Sequence, residues 1–219
     1  DLLLVTKNCI RRIYNWSPLQ FQNTYLPENT QDTIWDFKDN ILILQTTQDL
    51  YYYDNADASI QPLFKNEETF TLLTRQHWDC NDKEVVLLDL NHVFHFDILS
   101  REMSKSIPDS QWHSVSLSSH GFTCLYNSKF NRLVIYKHPS ANNFLLDVTP
   151  DSHPDSIHWC GNDTIACLFA ADGEVKLFGP RGSYVTFWYP NDIFELHTEM
   201  DGVKIATLQS IHFISKVQD

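Results

Sequence analysis

The sequence predicts an all-β protein of the β-propeller class, built from four-stranded antiparallel blades of the WD type and incomplete at its N-terminal end. Three observations predict it. Short runs rich in β-branched and aromatic residues recur along the whole chain, separated by hairpin-length turn signals. Equivalent first runs begin near Trp35, Trp78, Val115 and Trp159, a period of roughly 40 residues and within the range of propeller blades. No segment of helical length shows a 3.6-residue apolar period, so almost no helix is expected.

Ser156–Tyr189 shows the repeat most clearly. It reads SIHW, DTIACLF, EVKLFGP and SYVTFWY, broken at Cys160-Gly161-Asn162-Asp163, Ala171-Asp172-Gly173 and Gly179-Pro180-Arg181-Gly182. Four strands joined by tight turns form one blade. Taken in order, LLLVT and CIRRIY make a hairpin around Lys7-Asn8, and Trp16–Phe21 supplies a third, outer strand with Pro18 at an edge. Residues 22–32 read as a polar loop. The next unit has strands at Thr33–Asp36, Ile41–Leu44, Leu50–Tyr53 and Ile60–Phe64. The third has them at His77–Cys80, Val85–Leu88 and Val93–Phe96, with a weak fourth near Lys105-Ser106-Ile107. A fourth unit runs Val115–Leu117, Gly121–Tyr126, Leu133–Tyr136 and Phe144–Val148. After the Ser156–Tyr189 blade come Phe194–Leu196, Val203–Leu208 and Ile211–Val217, with no fourth run.

Residues 1–219 are therefore expected to form one propeller domain of about five to six blade units, with an incomplete leading blade, four full blades and a three-strand trailing blade. Each blade buries its faces only against neighbours, so an open fan is costly. We expect a cut or processed chain that begins inside a repeat, with roughly one more blade of sequence before Asp1. An arc covered by a partner is the alternative. A β-sandwich competes, but it does not account for four runs in every unit of about 40 residues.

The chain has 219 residues, with 16 Lys and Arg against 28 Asp and Glu, a net charge of −12. Such a charge repels a phosphate backbone or an anionic lipid surface, so no nucleic-acid partner is expected; Arg11-Arg12 is the sole adjacent basic pair. No run of apolar residues is long enough to span a bilayer as a helix. Five scattered cysteines (Cys9, Cys80, Cys124, Cys160 and Cys167) without a CxxC read as reduced, buried thiols of an intracellular protein. The sequons at Asn15 and Asn162 read as chance.

The search for chemistry returns little. His92 and His95 lie three apart on a strand and so point to opposite faces; His158 and Cys160 can share a face but lack a second ligand pair. No metal and no cofactor is expected. Ser116–His120 (SLSSH) lies at a hairpin turn, where serines satisfy backbone groups, and no G-x-S-x-G elbow occurs. The carboxylate pairs Glu67-Glu68 and Asp151 with Asp155 read as solvated, so no catalytic residue is assigned and the chain is not read as an enzyme. The glycines mostly mark turns. Trp35, Trp78 and Trp159 share one repeat position, which points to packing between blades, whereas Trp112 and Trp188 break that register. Trp188 lies in the aromatic outer run Val185–Tyr189, and Phe187, Trp188 and Tyr189 are the candidate partner-binding residues. Packing against the following loop is the competing account of that run.

Several segments, in order, resemble a known family: Trp16-Ser17-Pro18-Leu19, Asp32–Asp36, Leu72–Asp82, Gly121–Asn127, Trp159–Cys167, Gly179-Pro180, Tyr184–Tyr189 and Asp201–Ile205. Together they are similar to the N-terminal propellers of the fungal vacuolar protein sorting-associated protein sixteen family, over essentially the whole chain. The resemblance implies a core subunit of the HOPS and CORVET membrane-tethering complexes, in which a propeller precedes a long α-solenoid. It implies a non-catalytic scaffold in endosome-to-vacuole docking and fusion, peripheral on the cytosolic face of late endosomes and vacuoles. The implied partners are other tethering subunits, including a Sec1/Munc18-type subunit that binds the solenoid, with Rab GTPases and SNAREs reached through the assembly. The solenoid is absent from this sequence, so none of its binding residues is carried over. The alternative reading is a propeller that recognises a short peptide or small ligand on its face or in its channel.

Overall fold

The structure is a computed structural model that describes residues 2–36, 41–64, 73–89, 92–106, 111–138, 143–189 and 193–215. It contains six antiparallel sheets in which every strand pairs with its chain neighbour. The first is β1 (Leu2–Val5), β2 (Cys9–Trp16) and β3 (Leu19–Tyr25). The second is β4 (Asp32–Asp36), β5 (Ile41–Gln45), β6 (Leu50–Asp54) and β7 (Ser59–Pro62). The third is β8 (Trp78–Cys80), β9 (Glu84–Asp89), β10 (His92–Asp97) and β11 (Met103–Ser106), and the fourth is β12 (Ser114–Leu117), β13 (Phe122–Asn127), β14 (Arg132–Lys137) and β15 (Leu146–Val148). The fifth is β16 (Ser156–Cys160), β17 (Thr164–Phe169), β18 (Glu174–Phe178) and β19 (Tyr184–Trp188), and the sixth is β20 (Ile193–Glu199), β21 (Gly202–Thr207) and β22 (Ile211–Ser215). The only helical turns among the described residues are 3-10 turns at Arg75–His77, Ala170–Asp172 and Pro180–Gly182. Among the described residues the sheets have, in chain order, three, four, four, four, four and three strands.

The chain divides into two compact units, Asp1–Arg75 and Gln76–Asp219. In the first, the leading sheet packs on the second through Ile10, Leu42, Leu44, Tyr53 and Ala58. Two hydrogen bonds fix the contact: Arg12 Nη1 donates to the Asn55 carbonyl at 2.6 Å, and Thr24 Oγ1 to the Ala58 carbonyl at 2.7 Å.

The second unit shows why its inner strands are continuous apolar runs. Side chains alternate across a strand, so consecutive residues enter two different cores. On β17, Ile165, Cys167 and Phe169 pack with Cys124, Leu133 and Ile135 of the fourth sheet, while Ala166 and Leu168 pack with Leu196, Val203 and Ile205 of the sixth. All six residues of β17 are buried. On the fourth sheet, Leu125, Val134 and Tyr136 turn the other way, toward Val86, Leu88 and Val93. Each fully buried aliphatic side chain stabilises the stack by about 1.5–3 kcal/mol.

Two sequence expectations are corrected here. Trp16–Phe21 is not one strand: β2 runs through Trp16, Pro18 sits in the turn, and β3 begins at Leu19. Residues 22–25 are strand rather than loop, because Gln22, Asn23, Thr24 and Tyr25 pair with Arg12, Arg11, Ile10 and Cys9. Their polar composition reflects an outer strand exposed at all but one position, which apolar periodicity does not detect. The weak fourth run of the third unit is β11, Met103–Ser106; Ile107 lies outside the described residues, as do Glu67 and Glu68.

Candidate interaction surface

The first strands of the four sheets in the second unit are joined by a polar relay. Trp159 of β16 donates its indole Nε1–H to Ser116 Oγ of β12 at 3.0 Å. The Ser116 hydroxyl donates to Asp79 Oδ2 of β8 at 3.2 Å, and the Leu117 amide donates to the same oxygen at 2.8 Å. The Trp159 amide donates to Thr198 Oγ1 of β20 at 3.1 Å. Trp78 and Trp159, at the shared repeat position, are 0% and 3% exposed. They are packing residues, not a recognition surface; the Trp35 side chain lies outside the described residues. Trp112 is buried between the third and fourth sheets, with the Arg132 guanidinium 5.5 Å from its ring.

The histidines are likewise used internally. His95, 3% exposed, lies 3.3 Å from Glu84 Oε2 through Nδ1 and 3.1 Å from the Tyr136 hydroxyl through Nε2. It stacks on His138 with ring centres 4.2 Å apart, and His138 Nε2 meets Ser104 Oγ at 3.0 Å. Burial first, and then the neighbouring His95, lower the His138 pKa against the raising effect of Glu84. His92 points away from this group, as its odd spacing from His95 requires. Among the described residues no three His, Cys, Asp or Glu side chains are grouped to hold a metal ion. The SLSSH segment serves the fold: Ser116 carries the relay, Ser118 Oγ accepts from the Phe122 amide at 2.9 Å, and Ser119 Oγ meets its neighbour His120 at 3.0 Å. Asp155 is not simply solvated, since its Oδ2 accepts from the Ala170 amide at 2.7 Å. All five cysteines are free; burial raises the Cys124 thiol well above its ordinary pKa and pushes Cys167 up to about 12.

Apolar side chains are exposed on β3 and β22 of the three-stranded sheets, and among the outer strands of the complete sheets exposed aromatic side chains lie on β19. It pairs with β18 in the register Glu174 with Trp188, Val175 with Phe187, Lys176 with Thr186, Leu177 with Val185 and Phe178 with Tyr184. The strand period therefore divides the predicted trio. Phe187 and Tyr189 turn toward the sixth sheet and pack against its core, with the Tyr189 ring 5.0 Å from that of His212. Burial raises the Tyr189 pKa, so its hydroxyl keeps its proton. Trp188 turns the other way and is 66% exposed. Val185, 59% exposed, lies on the face of Phe187 and Tyr189, whereas Tyr184, 55% exposed, shares the face of Trp188. Beneath them Lys176 Nζ lies 3.3 Å from Glu174 Oε2 and 3.5 Å from Asp151 Oδ2, and within 5.7 Å of the Tyr184 ring. Two carboxylates around one ammonium leave this surface locally acidic.

Comparison with known proteins places the molecule. The family model described as Vps16, N-terminal region, matches residues 1–219. Vacuolar protein sorting-associated protein 16 of Saccharomyces cerevisiae is 44% identical over 218 residues, covering 99% of this chain and 27% of that protein. The probable homologue of Schizosaccharomyces pombe is 28% identical over 122 residues, covering 50% of this chain and 14% of that one. The chain thus spans about a quarter or less of the curated relatives it matches. Among solved structures, Hsv2 of Kluyveromyces lactis aligns over 99% of this chain and 71% of its own, with a TM-score of 0.64 at 12% identity. That likeness concerns the fold alone, and the fold is a β-propeller built of four-stranded antiparallel sheets. By the match along its entire length, the chain belongs to the Vps16 N-terminal region family of vacuolar protein sorting proteins.

Proposed function

We propose that this chain is a non-catalytic platform, one propeller domain within a membrane-tethering complex of the HOPS or CORVET kind, acting in vesicle docking at endosome and vacuole. The family match over residues 1–219 is the observation that carries this reading. The geometry supports it. On the inner strands of the second unit most alternating positions are committed to cores between sheets, and on the outer strand β19 Trp188, Tyr184 and Val185 are exposed. Rigid stacked sheets hold such side chains at fixed spacing for other subunits. Membranes, Rab GTPases and SNAREs are reached through the assembly, on the cytosolic face.

The test is reconstitution of the full-length protein with its tethering partners, with and without Trp188→Ala and Tyr184→Ala. An aromatic at the centre of an interface contributes about 2 kcal/mol or more, so the double variant should bind at least roughly thirtyfold more weakly. Its stability should change by no more than about 0.5 kcal/mol, because both side chains are exposed. Undiminished assembly of the double variant refutes this surface. A wild-type protein that joins no tethering subunit refutes the platform reading itself.

A further inference from the structure

We propose that the free edge of β19 receives an added β-strand, an extended segment of a partner subunit that carries an Arg or Lys beside Trp188. The inference rests on the platform reading above and names the chemistry of the partner at that surface.

The backbone supplies the first argument. The Tyr189 amide donates to the Gly173 carbonyl at 2.7 Å, and the Gly179 amide to the Ser183 carbonyl at 2.9 Å. In an antiparallel ladder the bonded residues alternate. Ser183, Val185, Phe187 and Tyr189 therefore turn their N–H and C=O groups toward β18 and its flanks. Tyr184, Thr186 and Trp188 turn theirs outward, and among the described residues no backbone group meets them. That row is a template for one more strand.

The other complete sheets provide the second argument. Proteins protect edge strands with proline, with lysine or by keeping them short. The outer strand of the second sheet ends in Pro62, that of the third carries Lys105, and that of the fourth has three residues. β19 reads YVTFW, five residues with neither charge nor proline. An uncharged β-branched and aromatic edge is an aggregation hazard unless something covers it.

Charge selects the occupant. Glu174, opposite Trp188, and Asp151, whose side chain is 85% exposed, outnumber the single Lys176 between them. A cation on the incoming strand can stack on the open Trp188 indole and reach this acid excess, in a chain of net charge −12. A second copy of the chain would bring its own acidic surface to the contact, which disfavours self-pairing.

Hydrogen exchange on the full-length protein, alone and in the assembled tethering complex, tests the proposal. The amides of Tyr184, Thr186 and Trp188 should exchange rapidly in the free protein and at least tenfold more slowly in the complex. Thr186→Pro removes an outward N–H without touching the ladder to β18, and should weaken incorporation tenfold or more. Thr186→Lys, a milder change at the same edge, should act in the same direction. Assembly without protection of these three amides overturns the added strand and leaves the platform reading standing. Protection that appears with rising concentration of this protein alone assigns the edge to a second copy and overturns the partner. Failure of the wild-type protein to assemble removes both.

Discussion

The relay through Ser116 offers a quantitative test of how the sheets are held in register. Ser116→Ala removes the hydroxyl that accepts the Trp159 indole N–H and donates to Asp79. Trp159 is 3% exposed, so its N–H is left buried without an acceptor, at about 1–3 kcal/mol. Asp79 keeps the Leu117 amide at 2.8 Å and is only half-buried, so its own loss is smaller. The expected cost is about 2 kcal/mol. Trp159→Phe leaves no orphaned donor, because Ser116 still reaches Asp79; it costs about 1–2 kcal/mol in lost packing. In the Phe background Ser116→Ala strands nothing and should cost about 0.5–1 kcal/mol. The double-mutant cycle therefore predicts a coupling of about 1–1.5 kcal/mol between two sheets. Urea denaturation followed by far-ultraviolet circular dichroism on the four proteins measures it. Additive effects within about 0.3 kcal/mol would refute the reasoning, since the indole would then be satisfied by something other than Ser116.

Two further outcomes follow from the packing. The His138 pKa is lowered in the fold, by burial first and then by His95, and His158 is lowered by burial and His197. A group held neutral by the fold stabilises above its ordinary pKa of 6.5, and that stability is lost as pH falls through the lowered folded value. The melting temperature should therefore drop from pH 7 toward pH 5, and His138→Gln should flatten the slope; an unchanged slope counts against the stacked pair as its source. Gly202→Ala should destabilise by about 2–3 kcal/mol, because a Cβ there overlaps the Ile214 carbonyl oxygen of the paired strand β22. Gly179→Ala, with 3.7 Å of clearance, is the control, and equal melting temperatures for the two would contradict this account.

The strands were legible because a buried strand shows its own composition. All six residues of TIACLF and the four of LVIY are buried and feed two cores, and a strand covered on both faces accounts for such short runs bounded by tight turns. The shared tryptophan position was legible for the same reason: repetition exposes a packing role without coordinates. β3 was partly hidden, because Gln22–Thr24 are polar and only pairing to β2 reveals them as strand. Gly202 looks in the sequence like any turn glycine, yet its requirement is space beside Ile214, a fact about a neighbouring strand. The His95–Tyr136 contact and the Asp79–Ser116–Trp159 relay each join residues tens of positions apart on different sheets. Their partners depend on how sheets stack, and one sequence carries no mark of that.

The candidate surface shows what a strand pattern can deliver when it is taken to the single residue. The run Val185–Tyr189 reads as one aromatic patch, but alternation across a strand forbids neighbouring residues from sharing a face. The sequence parity places 187 and 189 together and 188 opposite, and the sixth sheet then decides which side is covered: Phe187 and Tyr189 meet Leu196, Val203 and Ile205. Trp188 is left outward by elimination rather than by any property of its own. The same parity turns the backbone of 184, 186 and 188 away from β18, so the exposed indole and the unpaired edge groups belong to the same residues. The middle strands of the complete sheets cannot offer this combination, because both their edges are paired. Among the complete sheets, then, the outer edge at which a partner strand is to be sought is the one that runs five residues with neither proline nor charge.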